Sequence, residues 1–275
     1  MTKKFQTGGV YQVGVDATGI LREPRPNAPL ETEALFGEGI LVLGSVKDYV
    51  HAKALLDSYE GYVHASALQK PLLEPTHRIT VSEAVTYEAP SFKCMTKGSL
   101  YMNSPVCPIG TEKTAEGDMV EIEGKGWVFA DRLVPIGHRA SSIADEAAKF
   151  VGTPYLWGGR SSLIDCSALV QAGCIAAGIP CPRDAFPQSE ELGEVVELEE
   201  GGLPELDKDY LVFWTEGKGR HVVIMIDGIN CVHATIAPPY RRTLIQPLTE
   251  VIEDQARDGN GGVTGVRRLP TALLL

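Results

Sequence analysis

A motif that occurs twice in the first half of the sequence limits the folds open to this chain. Residues 61–68 read GYVHASAL and residues 126–133 read GWVFADRL, so both copies follow the pattern Gly-aromatic-Val-x-Ala-x-x-Leu. Short β-rich runs punctuated by glycine precede each copy, for example at residues 39–44 and 119–123. A repeat built from short strands of this kind predicts two small β-barrels in tandem.

The size and charge of the chain narrow the possible classes of protein further. Its 275 residues exceed one ordinary domain, and an apolar content of 44% is enough to build a core without disulfide bonds. The net charge of -11 argues against nucleic acid or a membrane surface as a partner, because both favour clustered Lys and Arg. The first residues lack the apolar core of a secretory signal, and no apolar run is long enough to span a membrane. We therefore expect a soluble, cytoplasmic protein.

The cysteines and histidines do not follow the spacing of a disulfide framework or a metal site. The six cysteines are irregularly spaced, without a Cys-x-x-Cys pair, and no two of the six histidines suit positions i and i+4 of a helix. We expect most of the cysteines to be small buried side chains, and we expect no metal and no cofactor.

The second half of the sequence mixes helical and strand-like patterns. Residues 142–145 form a capping box, Ser-Ile-Ala-Asp, which predicts the start of a helix. A second helix is predicted from Cys166 to about Ala177 with Gly178 as its stop, and Gly173 on its packing face predicts a close approach of neighbouring backbone. Strand candidates follow at residues 209–214, 221–226, 230–234 and 263–269. Helices packed on such strands predict an α+β arrangement.

Cys166 opens the second predicted helix and is the candidate nucleophile. A thiol in the first turn of a helix lies among unpaired backbone N–H groups at the positive end of the helix dipole, which favours the thiolate. His221 and His233 lie on two apolar, strand-like runs and can supply a base and a group that orients it. Taken alone, each of the three could instead be an ordinary core or strand residue. Together they predict a cysteine peptidase.

Six short motifs occur in order along the second half of the chain. They are residues 152–160 (GTPYLWGGR), 165–167 (DCS), 182–188 (PRDAFPQ), 211–213 (LVF), 220–222 (RHV) and 232–234 (VHA). In order and spacing they resemble the NlpC/p60 family of papain-like cysteine peptidases, and the repeated motif of the first half resembles bacterial SH3-like domains. The resemblance implies an α+β fold in which a papain-like cysteine peptidase domain follows two small SH3-like β-barrels. The implied division is an N-terminal arm or linker over residues 1–28, SH3-like domains over 29–72 and 73–137, and a catalytic domain over 138–275.

The resemblance also implies a reaction. The chain looks like the subgroup that cleaves γ-D-glutamyl-L-diamino acid bonds in short murein peptides with a free N-terminal L-Ala, as in turnover or recycling of wall tripeptides or tetrapeptides. Cys166 would attack the γ-glutamyl carbonyl, His221 would be its base, and His233 would hold the His221 ring. The backbone N–H of Cys166 and the Tyr155 side chain would stabilise the oxyanion. Protein partners are not indicated.

Substrate recognition can be argued from the charges of such a peptide, which has one ammonium and one free α-carboxylate. Asp184 suits the ammonium, and Arg183 suits the carboxylate through a forked pair of hydrogen bonds, although Arg183 could equally support its loop. In the subgroup an aromatic and an acidic residue of the first barrel join the amine site; Tyr62 is the aromatic candidate, and Glu38 or Glu33 the acidic one. Further candidates for the cleft are Asp165, Ser167, Tyr155 and Trp157.

Several of these assignments have structural alternatives. Trp157 could be a hydrophobic anchor of its turn, Asp184 a helix cap, and Tyr62 only a packing aromatic of the barrel. Two other functions also remain open: an amidase or acyltransferase with the same thiol and base, and a non-catalytic protein that binds wall peptides. The complete Cys, His, His set argues against the non-catalytic function.

Overall fold

The structure, a computed structural model, describes residues 5–198, 202–216 and 220–269. The described chain divides into two compact units. Unit 1 comprises the residues up to His138 together with Arg160–Ser162, and unit 2 comprises Arg139–Gly159 and the residues from Leu163 onward.

The first part of unit 1 is an antiparallel sheet of seven strands, in the order β3-β2-β6-β5-β4-β1-β7. Its strands are β1 (Val10–Val13), β2 (Ala17–Leu21), β3 (Leu30–Leu35), β4 (Gly39–Val46), β5 (Tyr49–Ala54), β6 (Glu60–His64) and β7 (Leu68–Gln69). Alternate residues of β5 are buried, as expected for a strand with one face on a core. The core of this sheet draws on all seven strands and includes Val13, Ile20, Ile40, Val50 and Val63.

The second part of unit 1 contains a sheet of five strands, ordered β10-β9-β14-β13-β12, and one of three, ordered β11-β8-β15. The strands are β8 (His77–Ile79), β9 (Glu83–Tyr87), β10 (Thr96–Tyr101), β11 (Pro105–Val106), β12 (Pro108–Thr114), β13 (Gly117–Ile122), β14 (Gly126–Phe129) and β15 (Leu133–Pro135). Ile79, Leu100, Val106 and Ile122 are buried in its core.

The two copies of the repeated motif adopt the same local structure. In the first copy β6 runs into a 3₁₀ turn, Ala65–Ala67, and then into β7. In the second copy β14 runs into a 3₁₀ turn, Ala130–Arg132, and then into β15. The sequence pattern therefore encodes a strand, a tight helical turn and a strand in both places.

Residues 5–28 differ from the N-terminal arm or linker that was predicted over residues 1–28. Within them, β1 and β2 are both strands of the seven-stranded sheet, and Val13 and Ile20 are fully buried. Neighbouring Gly and Pro residues obscure the alternation of these short strands, and only the sheet pairing supplies their hydrogen bonds.

Contacts also join the two parts of unit 1. The Asp16 carboxylate accepts a hydrogen bond from the Ser99 backbone at 2.8 Å and forms an ion pair with Lys125. A side chain at Gly37, which has a φ of +81°, would collide with the Pro105 carbonyl. These contacts explain why both parts fall within one compact unit, and the boundary between residues 72 and 73 stays a prediction.

Unit 2 is an α+β unit built on an antiparallel sheet of six strands, in the order β16-β21-β17-β18-β19-β20. Its helices are α1 (Ile143–Ala148), α2 (Cys166–Ala177), α3 (Ala185–Glu191) and α4 (Leu248–Asp258). Its strands are β16 (Glu194–Val196), β17 (Tyr210–Trp214), β18 (His221–Met225), β19 (Asn230–Thr235), β20 (Arg242–Pro247) and β21 (Gly265–Arg268). The mixed architecture expected from the sequence is confirmed, whereas β20 and α4 were not predicted.

Local sequence signals account for the ends of α1 and α2. The Ser142 hydroxyl accepts a hydrogen bond from the Asp145 backbone at 3.1 Å, as the capping box predicts. Gly178 ends α2 in the left-handed conformation, with a φ of 76°. The close backbone approach predicted at Gly173 is present, because a Cβ there would lie 2.7 Å from the Ile143 carbonyl oxygen. Helix α2 can therefore pack tightly on α1.

The longest helix among the described residues is α2, with 12 residues. None of the described helices has the length and apolarity that crossing a membrane requires.

Candidate active site

The Cys166 side chain lies at the first position of α2 and is only 7% exposed. Its sulfur accepts hydrogen bonds from the backbone N–H groups of Ser167 and Val222. Because Val222 follows His221 in β18, the second of these bonds places the thiol beside the histidine backbone. Helix α2 and strand β18 thus bring the predicted nucleophile and the predicted base together.

The thiol is held in its neutral form in the free protein. Burial, reinforced by the Asp165 carboxylate, raises the pKa of Cys166 to about 12, and the backbone hydrogen bonds oppose this only in part. Burial and the adjacent carboxylate therefore oppose the thiolate that the helix start by itself favours. Attack by this sulfur requires a base.

His221 and His233 form a buried pair on adjacent strands. Nε2 of His221 lies 2.8 Å from Nδ1 of His233, and the two rings meet edge to face with centroids 5.1 Å apart. Burial, with the neighbouring His233, lowers the pKa of His221 well below its ordinary value. Burial also lowers the pKa of His233 to about 4. Both rings are therefore neutral near pH 7, and His221 can accept a proton.

A buried ion pair supports the loop that precedes the nucleophile. Arg183 forms a forked pair with Asp165, with N–O distances of 3.0 and 2.6 Å, and its Nη1 also donates to the Ser167 hydroxyl at 2.9 Å. Asp165 also caps α2 by accepting from the Ala168 backbone at 2.8 Å, and accepts from the Gly158 backbone at 2.8 Å. The carboxylate thus joins the turn, the helix and the arginine.

This cluster gives three of the predicted substrate contacts partners within the protein. Asp165, Ser167 and Arg183 are all buried, and their polar atoms are engaged with one another. These contacts agree with the alternative that Arg183 supports its loop, and the substrate roles of the three residues stay predictions. Asp165 and Arg183 lie 18 residues apart, so the sequence does not show that they pair in the fold.

A cavity of about 330 Å³ opens beside His221 within unit 2. The Tyr155 and Trp157 side chains line it, together with Arg220 and Asp258. Burial, followed by the proximity of Cys166, raises the pKa of Tyr155, so its hydroxyl stays protonated and can donate a hydrogen bond. Trp157 is 66% exposed, which argues against the alternative that it anchors the turn. The cavity can therefore accept a ligand next to the base.

Comparisons with known proteins agree with this geometry. Residues 152–250 match the NlpC/P60 family model, and residues 20–68 match the model described as bacterial dipeptidyl-peptidase SH3 domain. The protein carries an NlpC/P60 domain. The predicted resemblance to this family, with a bacterial SH3-like domain before it, is confirmed.

The matches to individual proteins cover more of this chain than the NlpC/P60 family model does. A γ-D-glutamyl-L-lysine dipeptidyl-peptidase of Bacillus subtilis is 27% identical over 240 residues, which cover 82% of this chain and 78% of the relative. A crystal structure of an NlpC/P60 family protein from Bacillus cereus matches with a TM-score of 0.76 and 22% identity, covering 95% of this chain and all of that one. An NlpC/P60 endopeptidase of Photobacterium damselae subsp. piscicida matches with a TM-score of 0.56 and 14% identity, covering 94% and 70% of the two chains. The two structural matches agree in fold, and the family and the peptidase relative support a hydrolase.

In the NlpC/P60 domain, Asp184 occupies the N-cap position of α3 and is partly exposed, but its side chain makes no capping hydrogen bond. The following helix is fixed by Gln188, whose buried amide nitrogen donates to the carbonyls of Ser167 at 2.9 Å and Pro182 at 2.8 Å. The structure thus does not support the alternative that Asp184 acts as a side-chain cap.

The candidates in unit 1 have partners of their own. The Tyr62 ring stacks on His51 with centroids 5.2 Å apart. Glu38 is buried and forms a forked pair with Arg160, with N–O distances of 3.0 and 2.9 Å. The Glu33 carboxylate accepts hydrogen bonds from the Arg160 backbone at 2.7 Å and the Ser161 hydroxyl at 2.8 Å. Glu38 thus has a charged partner within unit 1, and its assignment to the substrate amine stays a prediction.

Sequence analysis missed Gln246, which extends the histidine pair. Its Oε1 lies 3.1 Å from Nε2 of His233. Gln246 belongs to β20, a strand without a recognised motif, so no sequence signal assigned it to the site.

Proposed function

We propose that this protein is a cysteine peptidase that hydrolyses the γ-D-glutamyl-L-diamino acid bond of short wall peptides with a free N-terminal L-Ala. The observation that carries the proposal is the buried thiol of Cys166, hydrogen-bonded by the residue that follows His221, with His221 paired to His233. The name of the Bacillus subtilis relative supports the choice of bond. A role in turnover or recycling of wall peptides belongs to the same proposal, and a cytoplasmic location stays a prediction.

The reaction begins from a neutral pair. His221 accepts the thiol proton of Cys166 as the sulfur attacks the γ-glutamyl carbonyl carbon, and the carbonyl electrons move to the oxygen. Because the pKa of His221 lies well below its ordinary value and that of Cys166 is about 12, this transfer is uphill in the free protein. The ion pair thus forms during attack, when the developing oxyanion is stabilised at the same time.

Two hydrogen-bond donors can stabilise the oxyanion, and the imidazolium of His221 can protonate the leaving group. The backbone N–H of Cys166 lies at the start of α2, and the protonated Tyr155 hydroxyl lines the cavity beside His221. The His221 imidazolium then returns its proton to the amine of the departing diamino acid. Water, deprotonated by the same imidazole, hydrolyses the thioester and restores the thiol.

The cavity beside His221 suits the departing diamino acid. A group that leaves from the reacting carbonyl must lie next to the residue that protonates it, and His221 is part of the cavity wall. Arg220 and Asp258 give this wall charges of both signs, which match the carboxylate and the side-chain ammonium of a diamino acid. Trp157 offers an exposed face to its aliphatic part.

Asp184 is the proposed partner of the peptide ammonium. It is partly exposed one residue after the buried Arg183. The Asp165–Arg183 pair thus holds the loop that carries this carboxylate, instead of binding the peptide itself.

The decisive experiment incubates the full chain with synthetic L-Ala-γ-D-Glu-L-Lys and its diaminopimelate counterpart and identifies the products by mass spectrometry. We expect L-Ala-γ-D-Glu and the free diamino acid, and we expect Cys166→Ala to remove turnover. Cys94→Ala is the matched control, since Cys94 is a half-buried free thiol of unit 1. Turnover by Cys166→Ala would rule out the thiol mechanism.

Two variations of the substrate separate the alternatives. Acetylation of the N-terminal amine should strongly reduce cleavage, because it removes the charge assigned to Asp184. Equal cleavage of free and acetylated peptides would contradict recognition of the amine. Release of other amines or transfer to added acceptors would indicate an amidase or acyltransferase, and peptide binding without products would indicate a wall-binding protein.

A second SH3-like domain over residues 73–137 is also part of the proposal. It is supported by the shared strand, 3₁₀ turn and strand of the two sequence repeats. Its test is an experimental structure of this segment, compared with residues 20–68.

A further inference from the structure

Gln246 ends a chain of three hydrogen-bonded side chains that leads to the candidate base. Oε1 of Gln246 lies 3.1 Å from Nε2 of His233, and Nδ1 of His233 lies 2.8 Å from Nε2 of His221. All three residues are buried, and they lie on three consecutive strands of the unit 2 sheet, β20, β19 and β18. Water therefore cannot readily replace any member of the chain.

The chemistry of the three groups gives the chain a direction. An amide oxygen can only accept a hydrogen bond, so Nε2 of His233 must carry the hydrogen. Since His233 is neutral near pH 7, its Nδ1 has no hydrogen and accepts from His221. His221 must then carry its single hydrogen on Nε2, which leaves a lone pair on Nδ1.

We propose that Gln246 is a positioning residue that fixes the tautomers of His233 and His221, and thereby makes Nδ1 of His221 the base for the thiol. This inference rests on the function proposed above. Nδ1 is the ring nitrogen nearer the histidine's own backbone, and the sulfur of Cys166 accepts a hydrogen bond from the backbone N–H of the next residue, Val222. If the amide nitrogen of Gln246 faced His233 in place of the oxygen, it would donate to Nε2 of His233. The hydrogens of both rings would then lie on Nδ1, and Nδ1 of His221 would be a donor that could not accept the thiol proton.

The same chain serves the charged intermediate state. When His221 takes the thiol proton, the imidazolium donates from Nε2 to the lone pair of His233, whose far side is held by the amide oxygen. The hydrogen bond from His233 to Gln246 already favours the protonated form of His233, as does the charge of Asp254. Gln246 thus acts on the base through one intervening ring and does not touch the substrate.

Nitrogen-15 NMR of the histidine rings in the full chain tests this directly. In the unaltered protein at pH 7 we expect both rings as the Nε2–H tautomer. Gln246→Met, which removes the acceptor but keeps the volume, should mix the tautomers and lower kcat by roughly 10-fold or more, with KM changed less than about 2-fold. Gln12→Met is the matched control, because Gln12 is a buried glutamine of unit 1 bonded to the Leu73 backbone.

Gln246→Glu distinguishes tautomer control from a merely structural role. Its carboxylate can also only accept, so the Nε2–H tautomers should persist, while its negative charge should move the acid limb of the kcat profile to higher pH. An Nδ1–H tautomer of His221 in the unaltered protein would overturn the inference, as would unchanged tautomers in Gln246→Met. If Gln246→Met fails to fold, the tautomers of the unaltered protein and of Gln246→Glu, both measured by NMR, test the inference. The NMR readout needs no turnover, so it stands apart from failure of the proposed peptidase activity.

Discussion

Two buried arginine–carboxylate pairs, one in each unit, show how the same interaction can have different consequences. In unit 1, Glu38 pairs with Arg160 and accepts from the Leu35 backbone at 3.0 Å, so it holds the end of β3. In unit 2, Asp165 pairs with Arg183 and caps the helix that begins with the nucleophile. The first pair fixes backbone geometry, whereas the second also acts on the pKa of Cys166, which Asp165 raises and Arg183 lowers.

Breaking the pair in unit 2 should have the largest effect. Arg183→Met leaves the Asp165 carboxylate buried without its counter-charge, which costs about 3–5 kcal/mol of unfolding free energy. Because Arg183 lowers the pKa of Cys166, its loss should also slow alkylation of that thiol by iodoacetamide near pH 7. Denaturant unfolding and peptide mapping of the alkylated cysteines measure the two effects. An unchanged alkylation rate in a folded variant would remove the electrostatic difference between the pairs.

Breaking the pair in unit 1 should cost stability without changing substrate affinity. Glu38→Gln leaves the buried Arg160 without a full counter-charge, and we expect a loss of about 3 kcal/mol in unfolding free energy. If Glu38 has only this structural role, KM for L-Ala-γ-D-Glu-L-Lys should stay within about 2-fold of the unaltered value, well below the change expected when a charge-assisted contact is lost. A KM that rises 10-fold or more would support the assignment of Glu38 to the substrate amine.

Acid should destabilise unit 2 through its histidine pair. The pKa of His233 is about 4 in the folded chain against 6.5 for an unperturbed histidine, so the unfolded chain binds more protons between these values. The contribution of neutral, buried His233 to the unfolding free energy is fully present above pH 6.5. It is lost as the pH falls to about 4, by roughly 3 kcal/mol in total. Denaturant unfolding at a series of pH values should show this loss, and His233→Gln should abolish the part that comes from His233.

The pH profile of kcat should have its acid limb below pH 6.5, since the pKa of His221 is also lowered.

Removing the hydroxyl that joins the unit 2 pair should have the smallest effect. Ser167→Ala deletes one hydrogen bond to Asp165 and one from Arg183, yet leaves the ion pair itself intact. We expect a loss of about 1 kcal/mol in unfolding free energy, measured by denaturant unfolding. A loss as large as that of Arg183→Met would show that the hydroxyl, and not the charge, organises the cluster.

Much of unit 2 could be predicted from local patterns. The capping box at Ser142, the stop at Gly178 and the close approach at Gly173 each depend on a few neighbouring residues, and all three are present. Helix α4 was not predicted, although Leu248 and Val251 repeat at helical spacing. Strand β20 was missed because its alternation is interrupted, and with it Gln246.

The sequence by itself determined the members of the candidate site: a cysteine at a helix start and two histidines on apolar strands are visible as residue types in order. Tertiary structure decided how each group is used. In the fold, burial raises the pKa of the Cys166 thiol. The fold also pairs Arg183 with Asp165 and brings Gln246 within hydrogen-bonding distance of His233. The physical reason is that a charge or a lone pair acts on whatever lies within a few ångströms of it, and folding chooses those neighbours from distant parts of the chain.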